Sequence, residues 1–215
     1  MANEIFKRIL SSIVLTILGI YCIIIGSYFF YFMLVIIFLI SSFEWHKMSQ
    51  KKSYYLFGFS YLFFSLFCVY QLRFGFDNDV SLFLFVTFLC VLTDVGGYVF
   101  GKILKGPTLT KYSPNKTYSG LLGSFFLSLL LIPINSFLSL IENYSYMELI
   151  FFILIVSGVS QLGDIFISYF KRISKIKDTG RIIPGHGGLL DRIDGMLFAF
   201  PIAYLLIYFN FFFNL

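Results

Sequence analysis

The sequence predicts an all-α fold, a polytopic membrane bundle of about seven transmembrane helices. Its mean hydropathy is +0.88, and 21% of its 215 residues are aromatic while only 13% are charged. Because one water-soluble core cannot enclose so much apolar surface, this composition excludes a soluble enzyme fold and a disordered chain. Apolar runs of roughly 17 to 25 residues, the length needed to cross a bilayer, alternate with short polar segments.

The polar segments divide the chain into seven predicted spans. These are 9–25, 28–43, 54–72, 80–101, 119–140, 148–170 and 189–212. Residues 9–43 form one apolar run that is too long for a single span, so we expect a hairpin near Gly26 and Ser27. A long tilted helix is the alternative.

Lysine and arginine orient these spans. With this threading, fifteen of the sixteen Lys and Arg residues fall on one side of the membrane, and Arg73 alone falls on the other. Positive residues accumulate in cytoplasmic loops, so we expect a cytoplasmic N-terminus and an outer C-terminus. For Lys47, Lys51 and Lys52 this rule is a sufficient interpretation.

Two aspartates lie inside apolar spans. An ionised carboxylate there costs roughly 2.5 to 3.5 kcal/mol on insertion scales, and such residues commonly mark functional sites. Asp94 is followed at i+4 and i+8 by Tyr98 and Lys102, which places all three on one stripe of the fourth span.

Asp164 begins a similar stripe in the sixth span. Ser168, Lys171 and Arg172 follow it at i+4, i+7 and i+8. We expect both stripes to face inward and to open on the cytoplasmic side. The structural alternative is a pair of Asp–Lys ion pairs that only fix helix packing.

Two basic loops follow these spans. In residues 105–120, a Ser-Pro-Asn turn presents Lys111, Ser113 and Lys116 before a helix N-terminus, whose amides favour phosphate. A plain connector would look the same. In residues 168–194, three glycines surround His186 and form a flexible turn whose amides can contact an anion.

The second loop also concentrates carboxylates. Asp191 and Asp194 are spaced i, i+3, which predicts one face of the first turn of the last span. Together with Asp164 and Asp178 they offer the oxygen ligands that Mg²⁺ takes when it bridges a protein to phosphates. One histidine with no cysteine nearby does not make a zinc site.

These residues resemble a known signature, that of the phosphatidate cytidylyltransferase family. The signature residues are Ser168, Phe170, Lys171, Arg172, Lys177, Asp178, Gly180, Pro184, His186, Gly187, Gly188, Asp191, Arg192 and Asp194. Further motifs of that family are matched, in order, by Asp94-x-x-Gly97-Tyr98, Ser113-Pro114-x-Lys116-Thr117-x-x-Gly120 and Gln161-x-Gly163-Asp164, with Glu44-Trp45 as a weaker match. Two positions depart from the pattern, because Gly97 replaces the usual Ala and Ser119 the usual Glu.

The resemblance implies a reaction and a set of partners. It implies transfer of a cytidylyl group from CTP to phosphatidic acid within the lipid membrane, with Mg²⁺ as cofactor and no nucleic acid as partner. It leaves open a monovalent cation and a homodimer. The expected location is a bacterial inner membrane with the active site facing the cytoplasm, in one integral membrane domain, 1–215, with scaffold spans in 1–80 and catalytic spans in 81–215.

The resemblance also implies residue roles. It implies that Asp164 and Asp191 bind the metal. It implies catalytic roles for Lys171, Arg172, Asp178, His186 and Asp194. It implies substrate contacts from Asp94, Tyr98, Lys102, Ser113, Lys116, Lys177, Gly187, Gly188 and Arg192.

Other membrane proteins share parts of this pattern. A polyprenol or phytol kinase, or another lipid cytidylyltransferase, would use CTP and the metal with a different acceptor. An ion-coupled transporter would show paired half-helices across an internal repeat, which we do not find. A CDP-alcohol phosphotransferase would carry its aspartates on consecutive helical turns.

Overall fold

The computed structural model describes residues 14, 16–76, 80–138, 145–183 and 187–209. Within these ranges the elements are α1 (Thr16–Ile25), α2 (Ser27–Ser49), α3 (Tyr55–Phe74), α4 (Val80–Leu104), α5 (Tyr118–Ser128), α6 (Leu131–Leu138), α7 (Tyr146–Ile173), α8 (Leu190–Ile193) and α9 (Met196–Tyr208). The predicted all-α class is confirmed.

Five stretches of the described chain are long and apolar enough to cross a membrane. They are α2, α3, α4, α7 and the run Tyr118–Phe137, which combines α5 with most of α6. The apolar helices α1 and α9 are shorter. The predicted count of seven spans therefore stays a prediction.

The first apolar run breaks where the sequence indicates. Gly26 has φ 63° and Ser27 has φ 51°, both in the left-handed region that ends a right-handed helix. Glycine adopts this conformation without steric cost, which explains the position of the break between α1 and α2. The predicted start of the first span lies outside the described residues.

The fifth span, predicted at 119–140, matches the apolar run Tyr118–Phe137, but this run is not one continuous helix. The helix stops after Ser128 and resumes at Leu131. Pro133 explains the interruption, because proline has no N–H to donate to the carbonyl of Leu129 and its ring crowds that carbonyl. Residues 139–140 of this span lie outside the described ranges.

The seventh span, predicted from residue 189, does not begin as one continuous helix. Only the single turn α8 forms there, and α9 begins at Met196. The Gly195 N–H donates to Asp194 Oδ1 at 2.9 Å, a local side-chain bond that competes with the helical ladder. At the other end, residues 210–212 are not described.

Arg73 does not lie in an outer loop as the threading predicted. Helix α3 continues to Phe74, so Arg73 belongs to its last turn. Its side chain is buried, and the guanidinium lies 4.7 Å from the centre of the Phe74 ring. This cation–π contact compensates part of the cost of burying the charge.

The described residues form two compact units that take alternating stretches of the chain. The first unit draws on Met1–Leu66 and Phe170–Ile193, and the second on Phe67–Tyr169 and Asp194–Leu215. The predicted division of one domain at residue 80 stays a prediction.

Trp45 forms the centre of the first unit. Its ring lies 5.9 Å from Tyr54 and 5.3 Å from Phe170, centre to centre, and Nε1 donates to the Tyr55 carbonyl at 3.0 Å. The indole covers Gly58 so closely that any side chain there would overlap it. This packing joins α2, α3 and the end of α7.

Glycines allow α4 and α5 to pack closely in the second unit. A Cβ on Gly96 would lie 2.5 Å from the Gly123 carbonyl oxygen, and one on Gly120 would lie 2.7 Å from that of Gly97. Since lipid provides little hydrophobic driving force, close backbone approach is a main source of helix association in membranes.

Gly96→Ala should therefore weaken the second unit. The added methyl group overpacks the contact with α5, which typically costs about 1 to 3 kcal/mol of unfolding free energy. Thermal unfolding in detergent, followed by circular dichroism, should show a lower midpoint than the wild-type protein.

Gly158→Ala is the matched control. Its methyl group would meet only the Phe125 ring, at an ordinary 3.7 Å. We expect an unchanged or slightly higher midpoint, because alanine favours a helix by about 1 kcal/mol over glycine. Equal midpoints for Gly96→Ala and the wild-type protein would contradict the proposed packing.

Candidate active site

A buried carboxylate on α2 organises the polar loop of the first unit. The Glu44 side chain is 1% exposed and accepts three hydrogen bonds: from Thr179 Oγ1 at 2.9 Å, Leu189 N at 2.9 Å and Leu190 N at 2.8 Å. Charge-assisted bonds of this kind compensate the cost of burying a carboxylate. Glu44 thereby connects α2 to both ends of the loop segment 179–190.

Two signature glycines leave room for this carboxylate. A Cβ on Gly180 would collide with Glu44 Oε1, and one on Gly188 would lie 2.7 Å from Glu44 Oε2. Both positions therefore require the absence of a side chain. Gly187 differs, because its φ of 87° places it in the left-handed region. Its carbonyl accepts from the Ile183 N–H at 3.1 Å in an isolated β-bridge.

Asp191 is a second carboxylate that binds the backbone of the same loop. Its Oδ1 accepts from Lys171 Nζ at 2.8 Å, and its Oδ2 accepts from Thr179 N at 2.8 Å and Gly188 N at 3.2 Å. The Lys171 and Asp191 side chains are 12% and 7% exposed. The geometry therefore gives Asp191 the role of a loop-positioning residue that also orients Lys171.

The remaining predicted residues of this unit are more accessible. Lys177, Asp178, Arg172 and Arg192 are exposed on the described chain. Asp178 lies beside Gly187, since a Cβ on that glycine would be 3.6 Å from Asp178 Cβ. The predicted role of His186 concerns a residue outside the described ranges.

A second polar cluster lies in the other unit, around Lys116. Its ammonium group lies 2.6 Å from Asp164 Oδ2 and donates to Gln161 Oε1 at 2.9 Å and to the Gln161 carbonyl at 3.4 Å. Gln161 Nε2 in turn donates to Ser124 Oγ at 2.9 Å. The loop lysine is thus bound to α7, and α7 to α5.

Asp94 belongs to the same cluster. Its carboxylate interacts electrostatically with Asp164 and with Lys116. On the other side of Asp164, Ser168 Oγ donates to Oδ1 at 3.4 Å, as the predicted i, i+4 spacing requires. Two carboxylates and one ammonium leave the cluster with a net negative charge, which suits a bound cation.

The stripe of Asp94, Tyr98 and Lys102 forms on α4 but does not face inward throughout. Lys102 Nζ contacts the Tyr98 hydroxyl at 3.3 Å, which confirms the predicted alignment. However, Tyr98 is 67% exposed, and Asp94 and Lys102 are also exposed on the described chain. The inward orientation predicted for this stripe is therefore wrong.

The loop before α5 is fixed by its own backbone and hydroxyl groups. Thr108 and Thr117 form an isolated β-bridge, and the Ser113 N–H donates to Thr110 Oγ1 at 3.2 Å. Lys111 is exposed, and Ser113 is half-buried. Thr117 caps α5 by accepting from the Gly120 N–H at 3.1 Å, so its hydroxyl satisfies one of the amides expected to favour phosphate.

The two departures from the family pattern have local explanations. A Cβ on Gly97 would lie 2.9 Å from Ser124 Oγ, so the glycine leaves room for the Ser124–Gln161 hydrogen bond. Ser119 Oγ donates to the Lys105 carbonyl and pairs with Thr117 Oγ1 at 2.9 Å, closing the loop at its base.

Asp191 and Asp194 do not share a helix face as their spacing predicted. Helix α8 ends at Ile193, between them. Asp191 belongs to the first unit, whereas Asp194 belongs to the second, where its Oδ1 accepts from Gly195 N. A continuous helix would have placed both carboxylates on one face. Because the helix is broken between them, the two carboxylates have different neighbours.

Sequence reasoning assigned no role to three residues that organise these clusters, namely Glu44, Thr179 and Gln161. A signal was present for Glu44, since a lone acid at the end of an apolar run requires compensating donors. Gln161 was part of a matched motif. Nothing in the local sequence distinguished Thr179 from other loop hydroxyls.

The donor sets bear on the implied magnesium ion. No three His, Cys, Asp or Glu side chains of the described residues form a metal-binding group. Mg²⁺ needs fewer, because it commonly takes one or two carboxylates together with substrate phosphates and water. Among the described residues, Asp164 Oδ1 accepts only the long Ser168 bond, so it fits this role with Asp94. Both Asp191 oxygens, by contrast, already accept from protein donors.

Comparison with known proteins identifies the family. Residues 51–210 match the model of the cytidylyltransferase family. A phosphatidate cytidylyltransferase of Rickettsia bellii is 34% identical over 213 residues, which cover 95% of this chain and 91% of that protein. That of Rickettsia felis is also 34% identical, with 95% and 92% covered, and that of Staphylococcus aureus strain COL is 37% identical over 151 residues, 70% of this chain and 55% of its own. The chain therefore belongs to the cytidylyltransferase family, as its motifs indicated.

Proposed function

We propose that this protein is a phosphatidate cytidylyltransferase, which converts CTP and phosphatidic acid into CDP-diacylglycerol and pyrophosphate. The observation that carries this proposal lies in the signature segment, where Thr179, Leu189 and Leu190 donate to Glu44 and Lys171 pairs with Asp191. The names of the relatives support the same acceptor. The bacterial relatives and the lysine distribution support an inner membrane location with the site facing the cytoplasm.

The chemistry requires alignment and charge neutralisation more than a base. A phosphate oxygen of phosphatidic acid attacks the α-phosphorus of CTP, the bond between the α-phosphorus and its bridging oxygen breaks, and pyrophosphate leaves. Since the attacking phosphate is already anionic near neutral pH, positive groups that hold both reactants in line provide most of the catalysis. The acyl chains remain in the membrane while the headgroup reacts.

Lys171 in the first unit and Lys116 in the second are each suited to binding a phosphate group. Each is held by a carboxylate, at 2.8 Å from Asp191 and 2.6 Å from Asp164. A lysine fixed in this way loses less side-chain entropy on binding a phosphate than a freely rotating one. Mg²⁺, when bound, would neutralise phosphate charge, and Asp164 with Asp94 would hold it.

The detergent-purified protein should transfer label from α-labelled CTP into an organic-soluble product when phosphatidic acid and Mg²⁺ are present. A prenol acceptor should receive neither label from α-labelled CTP nor phosphate from γ-labelled CTP. Movement of γ-phosphate to the prenol, without cytidylyl transfer to phosphatidic acid, would overturn the proposal in favour of a lipid kinase.

The Mg²⁺ dependence of activity should show which of the two predicted ligands, Asp164 or Asp191, binds the metal. Chelation should abolish transfer, and added Mg²⁺ should restore it. Asp164→Asn should raise the Mg²⁺ concentration for half-maximal activity about tenfold or more, because a charged oxygen ligand is lost. Asp191→Asn should lower kcat with little change in that concentration, because Asp191 positions the loop and Lys171. If instead Asp191→Asn raises the required Mg²⁺ concentration and Asp164→Asn does not, Asp191 is the metal ligand.

Glu44→Gln should loosen the signature loop. An amide can accept from fewer of the three donors, and losing a hydrogen bond to a charged group costs about 1.5 to 3 kcal/mol. We expect kcat to fall about tenfold and the amides of Leu189 and Leu190 to exchange hydrogen faster. Glu148→Gln, at the exposed start of α7, should leave exchange in this loop unchanged. Unchanged exchange in Glu44→Gln would show that the loop does not depend on this carboxylate.

A further inference from the structure

A positively charged cleft lies in the first unit, beside the loop that Glu44 holds. Its volume is about 460 Å³, and it is lined by Lys47, Ile176, Lys177, Asp178, Gly180 and Arg181. This volume falls within the range of small-molecule sites, roughly 300 to 1,000 Å³. Lys47 and Arg181 were given no functional role by the sequence, and Lys47 was attributed to membrane topology alone.

The cleft is held in shape by the contacts already described. Lys47 follows Glu44 by three residues on α2, so the two lie on neighbouring turns of one face. Gly180 lines the cleft and packs directly on the Glu44 carboxylate. The side chain of Lys47 lies over the Phe43 ring, with Nζ 4.2 Å from its centre. The position of Lys47 relative to the loop is therefore set by the buried hydrogen bonds of Glu44.

The charge of the cleft points to a ligand with several negative charges. Three cationic side chains face one carboxylate, Asp178, and the cations form no ion pair within the described part of the chain. Coulomb attraction grows with the charge of the ligand, so a polyphosphate is favoured over a single lipid phosphate group, whether a monoester or a diester. Arginine and lysine are the usual side chains that bind phosphate oxygens.

We propose that this cleft binds the polyphosphate of the nucleotide substrate, with Lys47, Lys177 and Arg181 contacting its phosphate oxygens. This inference rests on the proposed use of CTP. It extends the substrate site beyond the signature segment to helix α2. It also explains why the loop must be fixed to α2, since two of these cations lie on the loop and one on the helix.

Equilibrium binding of labelled CTP to the detergent-purified protein tests the proposal, with inorganic tripolyphosphate as competitor. Lys47→Gln should weaken CTP binding about tenfold, raise the KM for CTP and leave the KM for phosphatidic acid unchanged. Lys47→Arg should retain most of the affinity because it keeps the charge. Lys52→Gln removes an equivalent exposed charge outside the cleft and should bind CTP as the wild-type protein does.

Three results would overturn the proposal. The first is an unchanged affinity for CTP in both Lys47→Gln and Arg181→Gln. The second is failure of tripolyphosphate to compete with CTP. The third is a change in the KM for phosphatidic acid alone, which would assign the cleft to a lipid headgroup. Arg181→Gln serves as the second variant if Lys47→Gln does not give a wild-type circular dichroism spectrum.

The outcome also separates this proposal from the proposed reaction. If the wild-type protein and the Lys47 and Arg181 variants transfer cytidylyl to phosphatidic acid equally well, the proposed role of the cleft is overturned and the proposed reaction stands. If the wild-type protein binds tripolyphosphate, the Lys47 variant does not, and neither transfers cytidylyl to phosphatidic acid, the proposed acceptor is overturned and the role of the cleft is supported.

Discussion

The hydrogen bonds of the buried Glu44 carboxylate are the constraint on which the first unit depends. An ionised group that is 1% exposed must have its donors supplied by the protein, and here they come from Thr179, Leu189 and Leu190. The loop therefore packs two of its glycines, Gly180 and Gly188, against the carboxylate. Lys171, Asp191 and the cationic cleft take their positions from that arrangement.

Both polar clusters solve the same physical problem. A charge within or near an apolar span is costly, and pairing it with an opposite charge lowers the cost. Lys171 pairs with Asp191, and Lys116 pairs with Asp164 and Gln161. Phosphate transfer needs cations that are already desolvated and oriented. Pairs of this kind hold the lysines in place, so structural stability and the proposed catalysis use the same contacts.

The sequence predicted helical class, most helix positions and the break at Gly26 because these depend on hydropathy and on residues close in the chain. The interruptions of the helices that it did not predict are also local. Pro133 divides the fifth span, and the Asp194 side chain bonds the Gly195 amide where a continuous helix was expected. In both cases one residue interrupts the hydrogen bonds of a helix. The apolar composition of the span does not reveal whether such a residue will break the helix.

From its sequence alone, the protein is a helical membrane protein with the signature of a cytidylyltransferase, since span length and motif spacing are properties of the chain itself. The tertiary structure decided which groups the motif residues meet. Glu44 bonds residues more than 130 positions away, and Lys116 bonds one 45 positions away. Helix periodicity relates residues three or four apart, whereas contacts at such separations depend on how the helices pack. For that reason, the role of Asp191 in the loop and the cleft beside Lys47 were not evident from the sequence.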